Sequence, residues 1–130
     1  MSGNKLALDT NVAIAWLRGG SEIAARLHSF TTFYLPSIVL GELLFGAINS
    51  DRAVDNIAPV ERLAERCTVL PAGAQAARLY AELRLAQKQR GRPIPENDLW
   101  IAALCVEHDL PLATWDQHFQ GINRLRLISP

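Results

Sequence analysis

The sequence predicts an α/β fold with a mainly parallel sheet of four or five strands, covered by helices on both faces. Short apolar, β-branched or aromatic runs alternate along the chain with longer segments of helical periodicity. The chain has 130 residues, of which 49% are hydrophobic, and this length suits one domain with a substantial core. We therefore expect residues 1–130 to form a single domain without internal repeats or linkers.

The N-terminal half is predicted to contain two strands and three helices. Ser21 is a good N-cap residue for the second helix, and Pro36 suits the first turn of the third. The third helix is apolar nearly all round, which is typical of a helix that is buried or packs against a partner. In chain order the predicted elements are strand 5–8, helix 11–18, helix 21–29, strand 32–35 and helix 36–49.

The C-terminal half continues the alternation. Pro59 limits where the fourth helix can start or continue, because proline lacks the backbone donor. Gly91 fits the end of the fifth helix, and Pro93 prevents its continuation. The predicted elements are helix 51–66, strand 68–70, helix 73–90, helix 95–108, strand 112–114 and strand 125–128.

Four carboxylates lie where an apolar element stops or where apolar residues surround them: Asp9, Glu42, Asp98 and Asp116. Asp9 and Asp116 follow strands, and in open α/β sheets ligands bind beyond the carboxyl ends of the strands. Asp98, near a helix start, can face the same edge. Burying a lone charge is costly, so such acids are usually paired, capped, protonated or bound to a cation. Several acids that converge on one point suit a hard divalent cation such as Mg²⁺.

Each acid also has a structural alternative. Asp9 and Asp116 could cap the helices that follow them, and Asp98 could complement a helix dipole. Glu42 is harder to explain in this way, because it lies in mid-helix with no Lys or Arg within a turn. A lone exposed glutamate is the alternative there.

Composition constrains the partner and the compartment. The chain has 13 basic and 13 acidic residues, so its net charge is zero. When the four candidate site acids are set aside, 9 acidic residues remain, and the rest of the chain carries a net charge of 13 − 9 = +4. This balance permits a nucleic-acid substrate without demonstrating one. No apolar run reaches membrane-spanning length, so no membrane partner is expected. Cys67 and Cys105 lie in apolar surroundings without metal-type spacing, as expected of free thiols in a reducing cytoplasm.

Four segments in order carry a resemblance to a known family. They are Leu-Asp-Thr-Asn-Val at 8–12, Pro-Ser-Ile-Val-Leu-Gly-Glu-Leu-Leu-Phe-Gly at 36–46, Pro-Glu-Asn-Asp-Leu-Trp-Ile-Ala-Ala at 95–103 and Thr-Trp-Asp-Gln-His-Phe at 114–119. Together they resemble the PIN-domain ribonucleases, specifically the VapC-type toxins of bacterial toxin–antitoxin pairs. The resemblance covers nearly the whole chain and implies a PIN-like three-layer α/β/α sandwich.

The resemblance also implies a chemistry and partners. Asp9, Glu42, Asp98 and Asp116 would hold Mg²⁺ or Mn²⁺, directly or through water, for hydrolysis of RNA phosphodiester bonds. In such enzymes the ion activates water and offsets charge on the phosphate. VapC-type relatives form homodimers and are inhibited by a VapB-type antitoxin, whose C-terminal tail can place a basic side chain near the acids.

Further residues are candidates with ordinary alternatives. Thr10, Asn11 and Thr114 are positioned to orient the acids, or make only turn and cap bonds. Trp115 could stack on a base or pack in the core, and His118 could be a general base or a solvated or capping residue. Basic side chains that could hold RNA phosphates, or simply form a solvated helix end, are Arg84, Lys88, Arg90 and Arg92.

Three rival functions are compatible with a small α/β domain that carries acids at its strand ends. A phosphoacceptor receiver domain needs a lysine after its last active-site strand, and neither Lys5 nor Lys88 is placed there. A phosphatase of the haloacid dehalogenase type needs a second aspartate two residues after the first, where this chain has Asn11. The strongest rival is a non-catalytic PIN-like binding or scaffold module. The intact acid set argues against it.

Overall fold

Five parallel strands form the centre of the fold in the computed structural model, which describes residues 4–130. The strands are β1 (Lys5–Leu8), β2 (Thr32–Pro36), β3 (Thr68–Leu70), β4 (Leu112–Ala113) and β5 (Leu127–Ile128). The helices are α1 (Thr10–Leu17), α2 (Ser21–Leu27), α3 (Ser37–Ile48), α4 (Ala53–Arg66), α5 (Ala74–Gln89) and α6 (Glu96–Glu107). A 3₁₀ helix, Gln117–Gly121, lies between β4 and β5.

The strand order β3-β2-β1-β4-β5 places β1 at the centre of the sheet. Ala7 is in register with Tyr34 of β2 and also with Leu112 of β4. The chain therefore moves to one side of β1 first and returns later to its other side. The reversal lies between β1 and β4, and the carboxyl ends of strands at such a reversal are where α/β sheets bind ligands.

The core explains why the central strands are continuous apolar runs rather than alternating ones. Leu6, Leu8 and Leu112 are completely buried, as expected of parallel strands covered on both faces. Helix α6 is buried along much of its length, and Ala102 and Cys105 have no exposed surface. The predicted α/β fold with a parallel sheet is thus confirmed.

Element boundaries agree with the predictions to within about two residues, with two corrections. Ser21 is the first residue of α2 rather than its N-cap; Gly20 holds the cap position and no side chain caps the helix. Helix α4 begins only at Ala53 and continues through Pro59. Burial of Val60 and Leu63 just beyond the proline offsets the missing backbone hydrogen bond.

The two cysteines are free, as predicted. Burial raises the pKa of the half-buried Cys67 thiol to about 11, and it also raises the pKa of Cys105. Between residues 4 and 130, no helix is long and apolar enough to cross a bilayer.

Candidate active site

Asp9 is the most buried acid of the site. It follows β1, caps α1 and is only 4% exposed. One carboxylate oxygen, Oδ1, accepts the Thr10 backbone N–H at 2.8 Å, while Oδ2 accepts the Thr114 hydroxyl at 2.6 Å. The sequence left helix capping and a role in the site as alternatives for Asp9. In the structure one oxygen caps α1 while the other faces Thr114, so the two roles do not exclude each other.

Thr114 joins the ends of two strands through one buried hydroxyl. Its Oγ1 donates to Asp9 and accepts the backbone N–H of Asp116 at 2.9 Å. Thr114 is the residue immediately after β4, at the carboxyl edge of the sheet. It therefore fixes the position of Asp9 relative to the loop that carries Asp116.

Glu42 reaches the same edge from the middle of α3. Its Oε1 accepts the hydroxyl of Thr10 at 2.7 Å, so Thr10 connects Glu42 to Asp9. Among residues 4–130, neither Asp9 nor Glu42 forms an ion pair with a basic side chain. Each carboxylate accepts a hydroxyl hydrogen bond instead, Glu42 from Thr10 and Asp9 from Thr114.

Asp98 and Asp116 face each other across the ring of His118. The imidazole Nδ1 lies 3.3 Å from Asp98 Oδ2 and 3.0 Å from Asp116 Oδ1. The backbone N–H of His118 also donates to Asp116 Oδ1 at 2.9 Å. One donor atom from each of the three residues lies within 4.8 Å of the others. This half of the site is more open, because the side chains of Asp98, Asp116 and His118 are 15%, 31% and 55% exposed.

Burial and like charge act together on the site. Burial raises the pKa of Asp9; hydrogen bonds from Thr114 and Thr10 oppose the rise, and the charges of Asp116 and Glu42 add to it. Burial likewise raises the pKa of Asp98, partly offset by His118, with smaller contributions from Asp9 and Asp116. A divalent cation among these oxygens would relieve both effects, and an oxygen-rich donor set is the one that Mg²⁺ and Mn²⁺ accept.

Comparison with known proteins places the chain in a family. The PIN domain family model matches residues 6–125. "Ribonuclease VapC5" of Mycobacterium tuberculosis is 36% identical over 119 residues, which cover 89% of this chain and 86% of that protein. The chain belongs to the PIN domain family, among the VapC ribonucleases. "Ribonuclease VapC1" of Haemophilus influenzae strain R2866 is 32% identical over 124 residues, or 92% of each chain.

Solved structures agree with this family and with the sequence resemblance. VapBC-1 from nontypeable Haemophilus influenzae matches with a TM-score of 0.88 and 31% identity, covering 96% of this chain and 97% of that one. VapBC2 from Rickettsia felis, bound to a DNA fragment from their promoter, matches with a TM-score of 0.89 and 26% identity, covering 95% and 97%. The three-layer arrangement predicted for a PIN domain is confirmed.

The remaining predicted residues lie around the acids of this PIN domain rather than among them. Asn11 Oδ1 accepts the backbone N–H of Trp115 at 3.5 Å, a long contact between α1 and the loop after β4. Trp115 is 42% exposed, so packing in the core is not its role. Its indole Nε1 donates to the Pro130 carbonyl at 2.9 Å.

The four basic candidates differ in how far they are engaged. Arg84 pairs with Glu96 at 2.7 Å, and Arg90 donates to the Gly121 carbonyl. Lys88 and Arg92 are exposed, and within the described residues neither forms an ion pair. The structure thus does not bring these four side chains into contact with the acids.

His118 is the residue whose place sequence reasoning underestimated. The segment Thr-Trp-Asp-Gln-His-Phe indicated only a possible base or cap. The signal available was its position two residues after Asp116, in the short turn before the fully buried Phe119. Its contact with Asp98, 20 residues earlier, could not be read from that spacing.

Proposed function

We propose that this PIN domain is a divalent-cation-dependent ribonuclease, the toxin of a VapBC pair, acting as a single domain over residues 1–130. One observation carries the proposal: acids from four separate elements meet at the carboxyl edge of the sheet. Hydrogen bonds through Thr10 and Thr114 hold Asp9 beside Glu42 and beside the Asp116 loop. A packed fold gains nothing from gathering like charges in this way unless a cation joins them.

Asp9, Glu42, Asp98 and Asp116 would hold the ion, Mg²⁺ or Mn²⁺. When bound, it supplies neutralising charge for the phosphate and lowers the pKa of water. The protein supplies the orientation, since Thr10 and Thr114 fix the acid oxygens and Asn11 steadies the loop. RNA would approach from the side of Asp116, which is more exposed than Asp9.

Basic side chains in the C-terminal half of α5 and just after it would contact the RNA backbone. Arg84 and Lys88 line a cavity of about 370 Å³ between α5 and the loop that leads into α6. Arg90 and Arg92 lie at the same end of α5. Lys88 and Arg92 are the better candidates of the four, because Arg84 and Arg90 already have protein partners.

An apolar groove supports the antitoxin as partner. A cavity of about 380 Å³ lies between α1, α3 and α4, with Glu42 and Arg18 among its lining residues. The remaining lining is mostly apolar: Ile14, Leu17, Leu43, Ala47, Pro59 and Val60. An antitoxin tail lying here could extend a basic side chain to Glu42, which has no basic partner of its own among residues 4–130.

The alternative is a non-catalytic PIN-like binding or scaffold module. Such a module would not need four acids gathered at one edge of the sheet, two of them held by specific hydroxyl donors. The free thiols Cys67 and Cys105 fit a protein that works in a reducing cytoplasm.

RNA cleavage by the purified wild-type chain and by the Asp9→Asn variant tests the proposal. We expect EDTA to abolish cleavage, added Mg²⁺ or Mn²⁺ to restore it, and Asp9→Asn to lose at least about 100-fold in rate. Asp55→Asn, the same change at an exposed acid of α4, is the matched control and should cut normally. Undiminished cleavage by Asp9→Asn, with contaminating nuclease excluded, would refute the metal mechanism, whereas a wild type that cuts no RNA at any Mg²⁺ or Mn²⁺ concentration would favour the scaffold alternative.

A further inference from the structure

His118 lies within hydrogen-bonding range of two acids of the site, Asp98 and Asp116. Its Nδ1 is 3.0 Å from one carboxylate oxygen of Asp116 and 3.3 Å from one of Asp98. Neighbouring ligands of an octahedral ion bound at 2.0–2.1 Å are separated by about 3 Å. The two separations from Nδ1 are thus close to those of neighbouring ligands on one ion, and the two carboxylate oxygens lie within 4.8 Å of each other.

The turn that carries His118 is fixed on both sides. Phe119, the next residue, is completely buried and anchors the 3₁₀ helix in the core. The His118 backbone N–H donates to the same Asp116 oxygen that its ring approaches. The imidazole therefore needs no rearrangement of the main chain to reach the ion, and this kind of preorganisation is what tight sites show.

A surface ion pair does not account for this geometry. An exposed imidazole gains little from one carboxylate in water. His118 instead faces two carboxylates from different elements, Asp98 on α6 and Asp116 after β4, and both are less exposed than the ring itself. Without a cation, an N–H at Nδ1 can donate to either acid; with a cation, the Nδ1 lone pair is available to it.

We infer that His118 is a nitrogen ligand of the catalytic ion, together with Asp98 and Asp116, and that it biases this site toward Mn²⁺ over Mg²⁺. Imidazole is a better ligand for later divalent metals, whereas Mg²⁺ prefers an all-oxygen set. The inference rests on the proposed cation dependence and goes beyond it, because it names a fifth residue and a metal preference.

The test is a substitution that replaces the imidazole Nδ1 of His118 by an oxygen atom and keeps a polar side chain at this position. His118→Asn can offer its amide oxygen close to the position of Nδ1. Pulsed electron paramagnetic resonance on Mn²⁺ bound to the full chain should show a directly coordinated nitrogen in the wild type and none in His118→Asn. In isothermal titration, the ratio of Mn²⁺ to Mg²⁺ affinity should fall by about tenfold in the variant.

His108→Asn is the matched control. His108 also lies beside a carboxylate, 3.7 Å from Glu107, but at the opposite end of α6. It should keep the nitrogen signal and the affinity ratio. Melting curves in EDTA check that both variants fold.

The outcomes separate this inference from the proposed function. Mn²⁺ bound without a coordinated nitrogen, or a nitrogen signal that survives His118→Asn, overturns the role of His118 while leaving the metal-dependent ribonuclease intact. A wild type that binds neither Mn²⁺ nor Mg²⁺ at millimolar concentration overturns both.

Discussion

At the scale of single residues, the site trades stability for chemistry. The pKa of Asp98 is raised mainly by burial, so the folded chain keeps this proton to higher pH than the unfolded chain does. The protonated Asp98 carboxyl therefore contributes to the free energy of unfolding. This contribution is fully present below the pKa of the unfolded chain, and it is lost as the pH rises through the raised pKa of the folded chain. At neutral pH the ionised Asp98 therefore destabilises the metal-free protein.

Asp98→Asn should raise the melting temperature of the metal-free protein at pH 7, because it removes a charge that burial disfavours. The gain should shrink as the pH falls into the usual range of carboxyl pKa values, where the wild-type acid is protonated as well. Mg²⁺ should raise the melting temperature of the wild type more than that of the variant. Calorimetry in EDTA across this pH range measures both effects.

Asp55→Asn serves as the reference for Asp98→Asn, since it removes an exposed charge from α4. We expect little change from it at either end of the pH range. A metal-free Asp98→Asn protein that melts at or below the wild-type temperature at pH 7 would show that burial of this carboxylate is not costly.

At the scale of elements, the sequence of α3 lowers its intrinsic helix propensity at two positions. Gly41 and Gly46 each weaken a helix by roughly 1 kcal/mol relative to alanine. A Cβ added at either position would meet nothing within 4 Å, so packing inside the chain does not require glycine. Gly46 lines the apolar groove, and Gly41 lines a separate cavity of about 580 Å³ that also includes Glu42. Both glycines keep space open next to the acid.

Gly46→Ala should stabilise the isolated chain by about 1 kcal/mol in urea denaturation and weaken binding of the antitoxin encoded beside it. The added methyl group would project into the groove proposed for the antitoxin tail. Gly41→Ala is the matched control, since it should stabilise equally without narrowing that groove. Unchanged antitoxin affinity in Gly46→Ala would remove the groove from the interface, and a neighbouring gene product that neither binds nor inhibits the wild type would refute the pairing itself.

At the scale of the whole molecule, exposed apolar side chains indicate an interface. Phe45 and Ile48 on α3 are 67% and 62% exposed, and Val54 at the start of α4 is 83% exposed. Exposed apolar surface of this kind commonly marks a contact with another protein. The groove faces the antitoxin in our proposal, so we assign this second surface to another copy of the chain.

The chain should therefore be a homodimer at tens of micromolar, as measured by light scattering. Phe45→Glu should shift it to monomer, because a buried charge at the interface would lack a partner. Phe45→Leu keeps an apolar side chain and should remain dimeric. A wild-type monomer at this concentration would refute the assignment, and a dimeric Phe45→Glu would move the interface elsewhere.

The sequence by itself determined the order of the elements and the edge at which the site lies. Apolar runs and helical periodicity are local signals, so all five strands and six helices were predictable from them. Asp9 and Asp116 were expected at one edge because parallel strands end together there. Local signals failed at α4, where tertiary burial carries the helix through Pro59.

Only the tertiary structure decided how the acids are joined. Thr10 bonds to Glu42 across 32 residues, Thr114 to Asp9 across 105, and His118 reaches Asp98 across 20. Such hydrogen bonds require the right side-chain direction and a donor–acceptor distance that is correct to within a few tenths of an ångström. Both follow from the packing of whole elements rather than from residue spacing. For the same reason His118, which the sequence presented as a general base or as a solvated or capping residue, lies between two carboxylates in the fold.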